Sequence, residues 1–168
     1  MGIKLAAAVL VLTAFAALVA GQDKTIILVR HAEKAVETDA DMTGDPVLSS
    51  AGQERAKRLL KVVKKYKPHE IFATSYKRVQ LTVEPIARYR KKAVQTYDPK
   101  DQAALVDRIM KSKTEHYLIA GHSNTIPTLA NLLMKKEVFK NLSDSEYGVI
   151  WVVKIRRGQL KRVEVYEY

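Results

Sequence analysis

Short hydrophobic blocks alternate with amphipathic stretches along most of the chain, which predicts strands and helices in turn. Apolar or β-branched runs predict four strands, at 25–29, 71–74, 93–96 (edge-like) and 116–120. Apolar residues at helical spacing predict four helices, from about Ser49 or Ser50 to Tyr66, over about 78–89, over 101–111 and over about 126–134. Pro85 indicates that the second of these helices kinks or begins late.

The end of the chain has a different pattern. β-rich runs at 148–155 and 160–166 flank the turn residues at 156–159, which predicts a hairpin. Strands that alternate with helices predict βαβ units and a parallel sheet. We therefore expect an α/β fold in three layers, αβα. The sheet is mostly parallel with helices on both faces, and the hairpin adds antiparallel edge strands.

The first twenty residues follow a third pattern. Lys4 precedes a run of apolar and small residues at 5–20, and the small residues at 19–21 are typical of a cleavage site. We expect a signal peptide over 1–21, cleaved before Gln22, and hence a secreted or periplasmic protein with no stable membrane span after cleavage. The alternative is an uncleaved membrane anchor, because the run is just short of the ~18–20 apolar residues that cross a bilayer.

Composition indicates that residues 22–168 form one globular domain. The chain has 168 residues, of which 47% are hydrophobic, and it has no cysteine, which excludes disulfides, a thiol nucleophile and Cys-liganded zinc. The 29 Lys and Arg against 18 Asp and Glu give a net charge of +11, which falls to +10 once Lys4 is removed. This excess favours an anionic substrate or surface. Because the cations are spread along the chain without a nucleic-acid motif, we expect no nucleic-acid partner.

The chemically suggestive residues follow three of the predicted strands. Arg30 and His31 come after the first, Arg78 a few residues after the second, and His122 after the strand that ends at 120. In open α/β sheets, sites form beyond the carboxyl ends of strands, where helix N-termini such as that at Asn124 favour anions. Two guanidinium groups and two imidazoles around one concavity suit a phosphoryl group.

Three segments carry a resemblance to a known family. They are Arg30-His31-Ala32-Glu33-Lys34, Ser75-Tyr76-Lys77-Arg78-Val79-Gln80-Leu81-Thr82 and Gly121-His122-Ser123-Asn124-Thr125. In this order they resemble the histidine phosphatase superfamily, the phosphoglycerate mutase-like fold, in a short form without a large cap. The resemblance implies that His31 is a nucleophile that becomes a phosphohistidine, and that Arg30, Arg78 and His122 bind the phosphoryl oxygens. It implies a phosphatase that needs no metal and no cofactor.

The physical chemistry of these side chains fits that role. An imidazole has an unperturbed pKa of about 6.5, and nearby arginine charges lower it, which keeps a lone pair available on His31. Its other ring nitrogen needs an acceptor, so that the attacking nitrogen carries no proton. A protonated His122 would stabilise charge on the phosphoryl oxygens. We also place Asn124 and Glu33 among the candidate substrate-binding residues.

The proton donor for the leaving group is less evident from the sequence. Residues 86–96 contain no carboxylate, so we favour Asp98, with Asp101 and Glu33 as alternatives. Asp101 is equally well interpreted as a helix N-cap. Glu37, where some mutase-like members carry Asn, favours hydrolysis over mutase activity.

The lengths of the loops indicate an open site. Only residues 38–47 and about 135–147 could cover it, so the expected substrate is a phosphorylated small molecule, glycan or protein. The main alternative is a phosphate-binding module without turnover. A serine hydrolase at Ser123 is disfavoured because every histidine precedes that residue. A metal site that uses His31 and His122 is disfavoured by the arginines beside it.

Overall fold

The structure, a computed structural model, describes residues 22–36 and 44–168. The predicted signal peptide at 1–21, Glu37 and most of the possible covering segment at 38–47 lie outside the described residues. Within the described part, none of the helices combines the length and the apolar character that crossing a membrane requires.

Strands and helices alternate in the described chain as the hydrophobic pattern predicts. The elements, in chain order, are β1 (Lys24–Arg30), α1 (Ser50–Val63), β2 (Glu70–Ala73), α2 (Lys77–Arg90), β3 (Val94–Thr96), α3 (Gln102–Lys111), β4 (His116–Gly121), α4 (Thr125–Met134), β5 (Val149–Arg156) and β6 (Gln159–Glu167). Most boundaries differ from the predicted ones by one or two residues. The first helix differs more, because α1 ends at Val63 and a short 3₁₀ turn continues the chain to Tyr66.

The six strands form one sheet in the order β3-β2-β4-β1-β5-β6. β1 and β2 each run parallel to β4, and β3 runs parallel to β2. β5 is antiparallel to β1 and to β6, so the hairpin extends the sheet on the β1 side. The predicted mixed α/β fold is therefore confirmed, although only β6 of the hairpin lies at an edge.

The sheet is buried on both faces. Ile26 and Leu28 belong to a core cluster with residues of α3 and α4, whereas Ile27 and Val29 belong to a cluster with residues of α1 and α2. Successive strand residues point to opposite faces, so an uninterrupted apolar strand needs cover on both sides. This accounts for the continuous hydrophobic run in β1 and for the three layers.

α2 continues through its proline. The helix begins at Lys77 and ends at Arg90 with Pro85 inside it. Proline has no N–H to donate to the carbonyl four residues earlier, so this position weakens the helix locally. Packing of Val79, Val83 and Ile86 into the core beneath the sheet offsets that loss. The predicted late start at Pro85 is wrong.

Candidate active site

The ends of β1 and β4 lie side by side and carry the two histidines singled out in the sequence. Arg30 pairs with Gly121 in the strand register, and the His31 N–H donates to the Gly121 carbonyl at 2.8 Å. His122 follows directly, and the ring centroids of His31 and His122 are 5.5 Å apart in an edge-to-face arrangement. Alignment of the parallel strand ends thus brings the imidazoles together.

His31 is buried and holds a defined tautomer. Its Nδ1 lies 2.8 Å from the Ala32 carbonyl oxygen and donates to it, so Nε2 keeps its lone pair. Burial lowers the pKa of His31 to about 4, and the positive charges of Arg78 and Arg30, and of His122 when it is protonated, act in the same direction. The hydrogen bond to Ala32 opposes this shift. Burial is therefore a larger cause than the arginine charges on which the sequence argument relied.

The His122 ring is oriented from β2. Its Nε2 lies 3.1 Å from the hydroxyl oxygen of Thr74, a fully buried residue directly after that strand. The His122 backbone N–H donates to Thr125 Oγ1 at 2.9 Å. Burial, followed by the charges of Arg78 and Arg30, lowers the pKa of His122 to about 4. A ring with this pKa is uncharged in the ligand-free site at neutral pH. The protonated His122 expected during phosphoryl transfer stays a prediction.

Arg30 is held by the segment that precedes β5. Its Nη1 donates to the carbonyl oxygens of Ser143 and Glu146, at 2.7 and 3.0 Å. Its Cζ lies 4.1 Å from the centroid of the Tyr147 ring. The guanidinium Nε is buried and has no hydrogen-bond partner among the described residues. The surrounding segment therefore holds Arg30 in place and leaves its buried Nε–H available.

Arg78 lies in the first turn of α2 and is fixed in a comparable way. Its Nη1 lies 3.6 Å from Asp45 Oδ1, and its Cζ lies 4.5 Å from the centroid of the Tyr76 ring. Its Nε is also buried without a hydrogen-bond partner in the described part of the chain. Buried donors in folded proteins are nearly always satisfied. Two arginines with such donors beside two imidazoles form a site for an anion with several oxygens.

Thr82 connects the turn after β1 to α2. Its Oγ1 accepts from the Ala32 N–H at 2.9 Å and donates to the Arg78 carbonyl at 2.7 Å. Thr82 is fully buried, so both bonds are shielded from water. The turn that carries His31 and the helix that carries Arg78 are thereby held in one arrangement.

The model of the histidine phosphatase superfamily (branch 1) matches residues 26–99. This range includes Arg30, His31 and Arg78, and the structure places both arginines and His122 close enough to His31 to affect its pKa. This match, together with the fold and the geometry of the site, supports the histidine phosphatase superfamily for this chain.

Solved structures of two phosphatases share the fold. The protein histidine phosphatase SixA, solved with tungstate, is 13% identical with a TM-score of 0.67, and the match covers 85% of this chain and 96% of that one. A mycobacterial glucosyl-3-phosphoglycerate phosphatase, solved with VO3, is 11% identical with a TM-score of 0.66, and the match covers 86% and 98%. No curated protein matches this chain significantly.

Glu33 is bound by a side chain of α1. Arg55 Nε donates to both carboxylate oxygens at 2.9 Å, and Arg55 Nη2 lies 2.6 Å from Oε1. The hydrogen bond from Arg55 lowers the pKa of Glu33. A carboxylate held in its ionised form is a poor proton donor at neutral pH. The ion pair between Glu33 and Arg55 instead connects the turn after His31 to the first half of α1.

The other candidates from the sequence take local roles in the structure. Asp101 accepts from the Ala104 N–H at 3.1 Å and is the N-cap of α3, which confirms that interpretation. Asp98 is exposed and accepts from the Lys100 N–H at 2.8 Å. Asn124 precedes α4, is exposed, and makes no capping bond with its side chain. The roles assigned to Asp98 and Asn124 stay predictions.

Several residues around the histidines were not singled out in the sequence. Tyr147 lies 6.0 Å from His31 between ring centroids, and Tyr76 lies 5.0 Å from His122. Asp45 accepts from the Lys77 N–H with both oxygens, at 3.0 and 3.1 Å. Tyr76 stands two residues before Arg78, which could have drawn attention to it. Nothing local marks Tyr147 or Asp45, because both reach the site from distant loops.

Within residues 22–36 and 44–168, no three His, Asp or Glu side chains are grouped so that they could hold a metal ion.

Proposed function

We propose that this histidine phosphatase superfamily member is a phosphatase that hydrolyses phosphomonoesters or related phosphoryl groups through a phosphohistidine at His31. The observation that supports this most directly is the state of that imidazole. Nδ1–H donates to the Ala32 carbonyl, and burial lowers the pKa of the ring to about 4. His31 Nε2 therefore carries a lone pair at neutral pH, beside two arginines with unused buried donors.

In the first step, His31 Nε2 forms a bond to phosphorus while the bond from phosphorus to the leaving oxygen breaks. The electron pair of that bond leaves with the oxygen. The Arg30 and Arg78 guanidinium groups donate hydrogen bonds to the equatorial phosphoryl oxygens and stabilise the charge that they carry in the transition state. Water then attacks phosphorus, releases inorganic phosphate and restores the neutral ring.

His122 starts neutral and gains a proton only with the anion. A bound phosphoryl dianion is an opposite charge close to the ring, so it raises the pKa of His122 from its ligand-free value. The protonated form then donates a hydrogen bond to a phosphoryl oxygen. The His122 ring thus becomes positively charged when substrate binds and is uncharged in the ligand-free site.

The proton donor affects which leaving groups are suitable. Asp98 stays our candidate, since Glu33 is held by Arg55 and Asp101 caps α3. A well-placed general acid contributes about 10²–10⁴ to the rate for poor leaving groups. Because Asp98 is exposed and bonded to its own turn, we propose that the enzyme acts best on acidic leaving groups.

The substrate class remains broad in this proposal. The superfamily also includes mutases, but two of the matched solved structures are described as a protein histidine phosphatase and a glucosyl-3-phosphoglycerate phosphatase. We propose a phosphorylated small molecule, glycan or protein as the substrate. The oxyanions in those structures, tungstate and VO3, make such ions suitable probes of this site.

Hydrolysis of p-nitrophenyl phosphate by the purified protein tests the function. We expect turnover in the wild type and a loss of at least about 10³-fold in His31→Ala, because that change removes the nucleophile. His69→Ala, at an exposed position before β2, is the matched control and should keep wild-type activity. Activity that survives in His31→Ala would contradict the proposal. Tight binding of tungstate without turnover would favour the alternative, a phosphate-binding module.

A further inference from the structure

Tyr76 occupies a position where its residue type is locally unfavourable. It is the N-cap of α2, and its side chain makes no capping hydrogen bond. Ser, Thr, Asp and Asn are preferred at N-caps because their side chains satisfy free helix N–H groups. Here Asp45 does this from another loop, with both carboxylate oxygens on the Lys77 N–H. A residue that breaks a local rule, with the loss made up elsewhere, is typical of a functional position.

The surroundings of Tyr76 link it to the phosphoryl site. The centroid of its ring lies 5.0 Å from the centroid of the His122 ring. The same centroid lies 4.5 Å from Arg78 Cζ. Arg78 Cζ lies over the face of the Tyr76 ring, and the buried Nε of Arg78 has no hydrogen-bond partner among the described residues. The Tyr76 side chain is nevertheless 39% exposed. An aromatic surface therefore adjoins both the reactive groups and solvent.

Tyr147 makes a useful contrast on the other side of the histidines. Its ring contacts Arg30 and His31 in the same manner, but the side chain is partly buried, in the segment whose carbonyls bind Arg30. Tyr147 is thus suited to positioning Arg30. Tyr76 is the ring that a second molecule can reach.

We propose that Tyr76 is a specificity-determining residue whose exposed ring stacks against a planar aromatic leaving group. The inference rests on the proposed phosphatase function. For phenyl phosphate, His31 Nε2 bonds to phosphorus, the bond from phosphorus to the phenolic oxygen breaks, and that oxygen takes the electron pair and then a proton from water. The phenol leaves along Tyr76 into solvent.

Two phosphate esters whose leaving groups have similar acidity isolate the contribution of stacking on Tyr76 to kcat/KM. Phenyl phosphate has a flat aromatic leaving group, whereas hexafluoroisopropyl phosphate has a compact alkyl one. We expect the ratio of their kcat/KM values to fall about three- to tenfold in Tyr76→Leu, the range for loss of one aromatic pair. Tyr76→Phe should keep the ratio. An unaltered ratio in Tyr76→Leu would overturn the proposal.

Two further variants act as controls. Tyr89→Leu makes the same change at a 60% exposed position on α2 and should leave both activities at their wild-type values. Tyr147→Leu should weaken inhibition by phosphate, through Arg30, without altering the ratio. A ratio that falls equally in Tyr147→Leu would overturn the assignment to Tyr76.

Inhibition of the wild type provides a test that needs no variant. Phenylphosphonate and cyclohexylphosphonate share size and charge but differ in flatness, so phenylphosphonate should displace tungstate at a concentration about three- to tenfold lower. Equal potency would overturn the proposal. If neither ester is hydrolysed but phenylphosphonate still binds preferentially, the proposed function fails while the aromatic subsite stands.

Discussion

Full or partial burial makes an imidazole costly to protonate, and this property affects both the buried His31 and the half-buried His122. His31 and His122 lie near two guanidinium groups, so burial and positive charge act together on each ring. The neutral form is what a nucleophile needs. For His122, the same environment underlies our proposal that the ring gains a proton only when a bound anion raises its pKa.

The titration of these rings is a direct test. In the ligand-free protein, we expect the His31 and His122 ring resonances to shift near pH 4 in a proton NMR titration, well below the ordinary histidine value of about 6.5. The unfolded chain binds these protons at higher pH than the folded one, so the free energy of unfolding should fall as pH drops from about 6.5 to about 4. Titration of either ring near 6.5 would contradict the burial argument.

Arg78 supplies the second residue-scale prediction. We expect Arg78→Ala to raise the dissociation constant of tungstate or phosphate by roughly 10- to 150-fold, because a charge-assisted hydrogen bond contributes about 1.5–3 kcal/mol. Calorimetric titration measures this. Arg88→Ala removes an 80% exposed arginine from the same helix and should have little effect. Unchanged affinity in Arg78→Ala would remove this residue from the anion site.

The residues whose place in the site could be predicted follow strands, whereas the others lie in loops. Arg30, His31, Arg78 and His122 were predicted to meet because each follows a strand of one parallel sheet. Tyr147 and Asp45 were not predicted, since each lies in a loop whose path depends on packing. Local spacing carries no information on which loop contacts which cation.

At the scale of elements, the start of α1 positions the turn that carries His31. Ser49 is the N-cap, accepts from the Gly52 N–H, and donates its own N–H to the Glu33 carbonyl at 2.9 Å. A Cβ added at Gly52 would lie 2.1 Å from the Glu33 carbonyl oxygen. The helix can therefore approach this turn only because position 52 is glycine.

Gly52→Ala should consequently destabilise the protein. In an unobstructed helix this change stabilises by about 0.5–1 kcal/mol. Here the steric overlap reverses the sign, and we expect the free energy of unfolding in urea to fall by about 1–3 kcal/mol. Gln53→Ala, at the exposed neighbour, should stay within about 0.5 kcal/mol of the wild type. A more stable Gly52→Ala would show that the turn can move away.

The elements also show where sequence patterns succeed. The apolar runs and helical spacings located every described strand and α-helix, because burial against a sheet imposes these periods directly. Pro85 was misleading because the core contacts of α2 outweigh the loss of one helical hydrogen bond.

For the whole molecule, the net charge and the proposed export both concern the domain that remains after removal of residues 1–21. Removal of 1–21 leaves a domain with a net charge of +10, which favours encounters with phosphorylated, anionic substrates. We propose that the protein is exported to the periplasm or the medium. The intact mass of the protein from the native host should correspond to a chain that begins at Gln22. A mass that includes residues 1–21 would favour the uncleaved anchor.

Residue order alone was enough to predict the layered α/β architecture and the meeting of two histidines and two arginines at one edge of the sheet. Both follow from local rules, since periodicity reports burial and the carboxyl ends of parallel strands coincide. Contacts in the folded chain were needed to show that Glu33 pairs with Arg55 and that Asp45 pairs with Arg78. They were also needed to show that the ligand-free His122 ring is neutral at neutral pH. The same holds for Tyr147 beside the His31 ring and Tyr76 beside the His122 ring. Partners and burial of this kind depend on contacts between distant segments, which no local pattern encodes.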